Sequence, residues 1–193
     1  MAGEYTAALT GAVDAIKKAG LTYTRVMNGI FMDYFGLPHV SSHLRPFAWA
    51  LDIPGRRAAI PGTGDDLISI TYSKDVARFV AALVGEDEWP EYSLISGSDA
   101  SLNQIVALVE KALGAKLDVV HDSVEDLKAG KATDLFPGAE TYGGADTVAM
   151  AAYLGLTVAE GKMVLPKEGR LNDRFPDIKP KSIEDLVAEA WTC

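Results

Sequence analysis

Only one cysteine occurs in the 193 residues, and it is the last of them, Cys193. A single thiol excludes an internal disulfide framework and suits a reducing compartment. A chain end has no rigid neighbours to hold a nucleophile, so no catalytic role is assigned to Cys193. Positive charge is also scarce, with 18 Lys+Arg against 27 Asp+Glu and a formal charge of −9. No basic run exceeds the length of Arg56-Arg57. Nucleic acid and anionic membrane surfaces reward clustered Lys and Arg, so neither is an expected partner. No apolar run approaches the roughly 18 residues of a transmembrane helix. Met1 to Tyr5 has neither a basic n-region nor an apolar h-region, so no secretory leader is expected and the cytoplasm is the expected location. There is no internal repeat and no low-complexity tract.

What remains is an ordinary globular composition, 48% hydrophobic and 23% charged. The length suits one domain, or one body with a small appended lobe, and can bury a real core. Residues 6–19 carry Leu9, Ala12, Val13 and Ile16 at helical spacing, with Lys17-Lys18 in the last turn and Gly20 as a stop. Leu21 to Met27 is rich in β-branched and aromatic residues and reads as a strand ended by Asn28-Gly29. Ile30 to Phe35 is a bulky apolar patch. Leu44, Phe47, Ala48 and Leu51 are spaced for one helix face, which predicts partial helix over 39–53. Further strands are expected at 57–60, 67–72, 92–95 and 117–120. Helices are expected at 74–84, at 102–113 between Ser101 and Gly114, after Ser123, at 147–154, and after Ser182, whose spacing to Asp185 resembles a capping box. Residues 130–145 read as loop. Alternating elements of this kind define an α/β fold.

Three stretches follow one another in a familiar order: GLTYTRVMNGIFMDYF at 20–35, a Pro-Gly-x-Gly turn at 61–64, and ISITYSKDVARFVAALV at 68–84. YSLISG at 92–97, SLNQIVALVEKALG at 101–114 and the Pro180-x-Ser182 helix continue it. Together they resemble the NmrA-like and isoflavone-reductase-like atypical short-chain dehydrogenases/reductases of fungal type. The resemblance is to their C-terminal half. It implies a truncated Rossmann-like sheet remnant and pocket region over 1–90, with a small C-terminal α/β substrate lobe over 91–193, as one domain of 1–193. The family's G-x-x-G-x-x-G turn, which carries the cofactor pyrophosphate at a helix N-terminus, has no counterpart. Gly143-Gly144 stands alone, and Gly62-x-Gly64 precedes a strand. Counting back from Gly20 puts the family's catalytic Lys at Leu9, which has no ionisable group. Tyr5 keeps the Tyr of a Tyr-x-x-x-Lys pair without its Lys.

The candidate catalytic residues are Tyr5, Tyr34, His39 and His43, all able to move a proton near a substrate. Asn28, Gly29 and Phe31 sit where ligands bind in open α/β sheets, at a strand's carboxyl end, and with Arg45 and Trp49 form the candidate substrate-binding set. His39 and His43 are four residues apart and would share a helix face. A metal needs about three protein ligands, and none of the expected kind lies nearby, so no metal is expected. The leading expectation is a small-molecule enzyme, in keeping with a role in secondary metabolism. It would isomerise, cyclise or rearrange a polycyclic or aromatic metabolite by acid–base catalysis without a nucleotide cofactor. The alternative is half of an NAD(P)-dependent oxidoreductase, with NADP bound when the missing dinucleotide half is supplied. A third reading is a non-catalytic module resembling the family's redox-sensing regulators. Leu21 to Met27 needs a sheet neighbour, so a homodimer is expected.

Overall fold

The computed structural model describes residues 11–45, 49–137 and 146–192. Tyr5, Leu9, Phe47, Ala48 and the Gly143-Gly144 pair lie outside the described residues, as does Cys193. Helix α1 covers residues 11–18 and half-buries Val13 and Ile16. Strand β1 (Arg25–Met27) is shorter than its propensity predicts, and β2 (Ile30–Phe31) follows it directly. A 3-10 turn over Met32–Phe35 buries Met32, Asp33 and Phe35. Strands β3 (Leu51–Asp52), β4 (Arg57–Pro61) and β5 (Leu67–Thr71) lead into helix α2 (Ser73–Val84). Then come β6 (Tyr92–Leu94), β7 (Ser98–Ser101), α3 (Leu102–Leu113), β8 (Asp118–Asp122) and α4 (Val124–Lys128). Helices α5 (Thr147–Ala159), α6 (Leu171–Arg174) and α7 (Ile183–Trp191) complete the chain.

Three small sheets result, ordered β1-β6, β2-β5-β7 and β3-β4-β8. Each joins a strand before residue 90 to one after it. The pairs β1·β6, β2·β5 and β4·β8 are parallel, while β5·β7 and β3·β4 are antiparallel. This is the mixed α/β fold that the alternating elements predict. The main core gathers Met32, Ile60, Ile68, Ile70, Leu102, Ile105 and Leu186 between the sheets and helices α3 and α7. Each such fully buried side chain contributes about 1.5–3 kcal/mol. A second cluster of Phe79, Leu83, Ile95 and Leu171 seats α2 against β6 and α6.

Helix ends follow the local chemistry. Ser101 accepts from Gln104 N while Gln104 Oε1 accepts from Ser101 N, a reciprocal capping box. Ser123 and Ser182 cap α4 and α7 in the same manner from one side. Helix α5 is capped by Asp146 and runs to Ala159, past Leu154, and at Gly155 it packs closely against Leu127 and Pro61.

The expected helix over 39–53 is a correction. Residues 39–45 and 49–50 form turns and bends, and Leu51 belongs to β3. The polar groups there are engaged by other parts of the fold: Tyr72 donates its hydroxyl hydrogen to the Ser41 carbonyl, and Ser42 Oγ accepts from Leu44 N at 3.1 Å. His39 and His43 therefore do not share a helix face. Strand β7, Ser-Asp-Ala-Ser, went unpredicted because it has no β-branched or aromatic residue.

Candidate functional site

The segment from Asn28 to Arg45 is built around one close approach. Gly29 has φ +66, and a Cβ there would lie 1.9 Å from the Ser69 carbonyl oxygen. Only glycine lets the chain leave β1 and enter β2 beside β5. Asn28, half-buried at the carboxyl end of β1, accepts a 2.8 Å hydrogen bond from Thr71 Oγ1 on its carbonyl. Its side-chain amide reaches the Gly29 carbonyl at 3.3 Å. Phe31 and Tyr34 follow as an edge-to-face pair, with ring centroids 6.3 Å apart at 86°. Both are half-buried, so this aromatic pair retains a face away from the core.

Between them Asp33 points inward with no exposed surface. Its Oδ1 accepts from Ser42 Oγ at 2.5 Å and Ser73 Oγ at 2.6 Å, and its Oδ2 accepts from Ser73 N at 2.8 Å. The carboxylate thereby caps α2 from a distant part of the chain. A negative charge at a helix N-terminus is favourable. The same carboxylate ties down the loop carrying His39, His43 and Arg45. The Tyr72 hydroxyl holds the neighbouring Ser41 carbonyl, and Lys181 Nζ lies 5.1 Å from the Tyr72 ring centroid. A hydrogen bond from Lys181 to Glu189 raises the lysine pKa, against the opposing effect of partial burial. Asp75, at the start of α2, bonds Arg78 Nη1 at 2.9 Å and Lys181 N at 2.7 Å. It fastens α2 to the segment before α7.

The predicted site residues divide. Asn28, Gly29, Phe31 and Tyr34 lie together along 28–34. His39 is exposed and sets its ring edge-on against Trp191, 4.7 Å between centroids. Trp191 in turn donates Nε1–H to the Phe35 carbonyl at 2.8 Å. His43 and Arg45 are exposed on the tethered loop. Trp49 is buried in the main core. Among the described residues no group of three His, Cys, Asp or Glu is placed to hold a metal.

Two polar clusters escaped the sequence reading. Asp33 was hidden in an apolar run, although a lone acid in such a run must find partners once buried. The second cluster centres on Asp99 of β7. Its carboxylate accepts from Ser69 Oγ at 2.6 Å and Ser96 Oγ at 2.9 Å, and pairs with Arg170 Nη2 at 2.9 Å. Burial opposes ionisation of Asp99 most strongly, yet the two serine hydroxyls and Arg170 together hold its pKa below the ordinary carboxylate range. Arg170 also bonds the Leu165 carbonyl at 2.6 Å, so the pair fixes the 163–170 segment onto β5 and β7.

No family model matches the chain. It is 28% identical over 192 residues to "Oxidoreductase swnN" of Metarhizium robertsii, covering 95% of this chain and 56% of that protein. It is 35% identical over 105 residues to "Oxidoreductase BOA1" of Botryotinia fuckeliana, covering 54% of this chain and 35% of that protein. The chain thus spans about half the length, or less, of these curated relatives. Among solved structures, the ternary complex of leucoanthocyanidin reductase from Vitis vinifera superposes with a TM-score of 0.65 at 16% identity, covering 93% of this chain and 58% of that one. An isoflavone reductase superposes with a TM-score of 0.64 at 15% identity, covering 92% of this chain and 55% of that one. At such identities the structural likeness speaks to fold alone. The chain is a relative of fungal oxidoreductases and has the NmrA-like, isoflavone-reductase-like fold that its sequence resembles.

Proposed function

We propose that this chain forms the substrate side of a reductase acting on a polycyclic or aromatic metabolite, with NAD(P)H held by polypeptide that joins it along β1. The observation that carries this reading is the edge of β1. It pairs in parallel with β6 on one side and, among the described residues, has no strand on the other. Parallel strands occur in sheets covered on both faces, and a lone pair of strands is marginal. The named oxidoreductase relatives, of which this chain spans about half or less, support it, as does a neighbour solved as leucoanthocyanidin reductase with NADPH. The absence of a Gly-rich turn in this chain supports a nucleotide site located elsewhere in the assembly.

In this reading Phe31 and Tyr34 wall the substrate, and Asn28 and Gly29 form the strand end that faces it. The Tyr34 hydroxyl moves the proton that accompanies hydride transfer. His43 and Arg45 orient polar groups of the substrate from the tethered loop, while His39 steadies that loop against Trp191. Tyr5 belongs to the same proposed set. Two proteins test the reading by calorimetry with NADPH: the chain alone, and a chimera joining it to the preceding part of the Metarhizium oxidoreductase. The expected result is micromolar binding by the chimera and none by the chain alone. Binding by the chain alone overturns it. Turnover of an aromatic metabolite by the chain without nucleotide would instead favour an isomerase or cyclase. Self-association through the same edge is the competing outcome, read by sedimentation velocity.

A further inference from the structure

Ser69 joins the site to a second segment of the chain. Ile30 of β2 and Ile70 of β5 are paired in register, and both pack on the main core. Side chains alternate between the faces of a strand. Phe31 and its partner Thr71 therefore occupy the opposite face, together with Ser69 and its β7 partner Asp99. Leu165 N donates to Ser69 Oγ at 2.9 Å, which lays residues 163–166 over that same face. Ser69 N also donates to the Met163 carbonyl at 2.9 Å, while the Ser69 carbonyl lies against Gly29. Residues 163–166 and the Asn28-Gly29 turn are thus neighbours along one edge of β5. Ser69 and Thr71 are two residues apart, about 7 Å along the strand. A flat ring held between walls at about 3.5–4 Å on each face needs about that separation.

The segment is apolar and firmly held. Met163 packs on the main core, Val164 is 37% exposed, and Leu165 is half-buried without joining either core cluster. Besides the two bonds to Ser69, Arg170 donates from Nη2 to the Leu165 carbonyl at 2.6 Å and from Nε to the Pro166 carbonyl at 2.8 Å. Arg170 is held in turn by Asp99, 2.9 Å away, and Asp99 by Ser69 and Ser96. A desolvated ion pair gains little stability over apolar packing of the same volume. What this pair supplies is one fixed geometry for the two apolar side chains beside Gly29.

We propose that Val164 and Leu165 form the second wall of the substrate site, facing Phe31 and Tyr34 across the Asn28-Gly29 turn, with Arg170 as the positioning residue that holds them there. The proposal rests on the reductase reading above and assigns to this segment the selection of substrates by ring size. The probe is 2-naphthol, titrated into the whole chain with labelled methyl and aromatic groups, Val164→Ala and Leu165→Ala providing the methyl assignments. The expected result is saturable binding, with nuclear Overhauser contacts from the naphthol ring both to the Phe31 and Tyr34 rings and to the Val164 and Leu165 methyls. Leu165→Ala should weaken binding about tenfold. Arg170→Lys keeps a cation for Asp99 but not the planar fork that spans two carbonyls. In the folded Arg170→Lys protein the contacts to Phe31 and Tyr34 should persist while those to Val164 and Leu165 fade, a change that loss of stability alone does not produce. Contacts to the aromatic pair without the segment overturn the proposal and leave the reductase reading standing. Contacts to neither wall overturn it too, and NADPH binding by the chimera judges the reading separately. An unaltered contact pattern in Arg170→Lys overturns the role given to Arg170.

Discussion

Asp33 offers the sharpest perturbation, because two substitutions that look alike should behave differently. In Asp33→Ala the Ser73 N–H at the start of α2 loses its acceptor, and Ser42 and Ser73 lose theirs. An orphaned backbone donor costs about 1–3 kcal/mol, and each lost hydroxyl bond about 1 kcal/mol. Loss of a helix cap is worth about 1 kcal/mol, but that is the same Ser73 bond counted once. The sum is a loss of about 3–5 kcal/mol. Asp33→Asn retains the shape. Its amide nitrogen can take the Oδ1 position and donate to both hydroxyls, while its oxygen accepts from Ser73 N. Only the charge assistance is lost, about 1 kcal/mol. Urea unfolding followed by the fluorescence of Trp49, Trp89 and Trp191 reads both. Equal damage from the two variants, or an Asp33→Ala protein within about 1 kcal/mol of the parent, would refute the view that geometric satisfaction of this carboxylate, rather than its charge, holds the loop and α2 together.

Other positions give narrower expectations. Gly29→Ala combines φ +66 with a 1.9 Å overlap on the Ser69 carbonyl, so it should cost at least about 3 kcal/mol and leave little soluble protein. Arg170→Met leaves the half-buried Asp99 without its cation and should lower stability by about 1.5–3 kcal/mol in urea melts, the worth of a charged hydrogen bond. In the parent, Asp99 has its pKa lowered on folding, so the stability it contributes is present above the unfolded carboxylate pKa of about 3.9 and is lost as pH falls through the folded value. Melting temperatures should therefore drop below about pH 4, and in Arg170→Met the decline should begin at higher pH. Trp191→Phe removes the bond to the Phe35 carbonyl and should cost about 1–2 kcal/mol by chemical unfolding.

Much of the secondary structure was legible because its signals are local. Ser101 and Gln104, Ser123, and Ser182 all act within one turn of the helix they begin, so their meaning travels with the sequence. The strands at Arg57–Pro61 and Leu67–Thr71 were readable because they are short apolar runs bounded by turns. Residues 39–53 misled because their helical spacing competed with acceptors and donors from elsewhere. Tyr72 and Asp33 claim Ser41 and Ser42, and no local pattern announces them. The candidate site was partly legible for the same reason. Asn28, Gly29, Phe31 and Tyr34 are contiguous and stay together, whereas the separation of His39 from His43 and the burial of Trp49 depend on distant neighbours.

By itself the sequence determined the α/β class, the caps and stops of most helices, the family resemblance and the lack of a Gly-rich dinucleotide turn, because each resides in spacing over a few residues or in the order of such stretches. Only the tertiary structure decided that the buried Asp33 and the half-buried Asp99 are polar hubs, that each sheet joins strands from both halves of the chain, and that β1 keeps one edge without a strand partner among the described residues. Those facts arise from hydrogen bonds and packing between residues far apart in the chain, whose energies depend on which surfaces meet and not on which residues are adjacent.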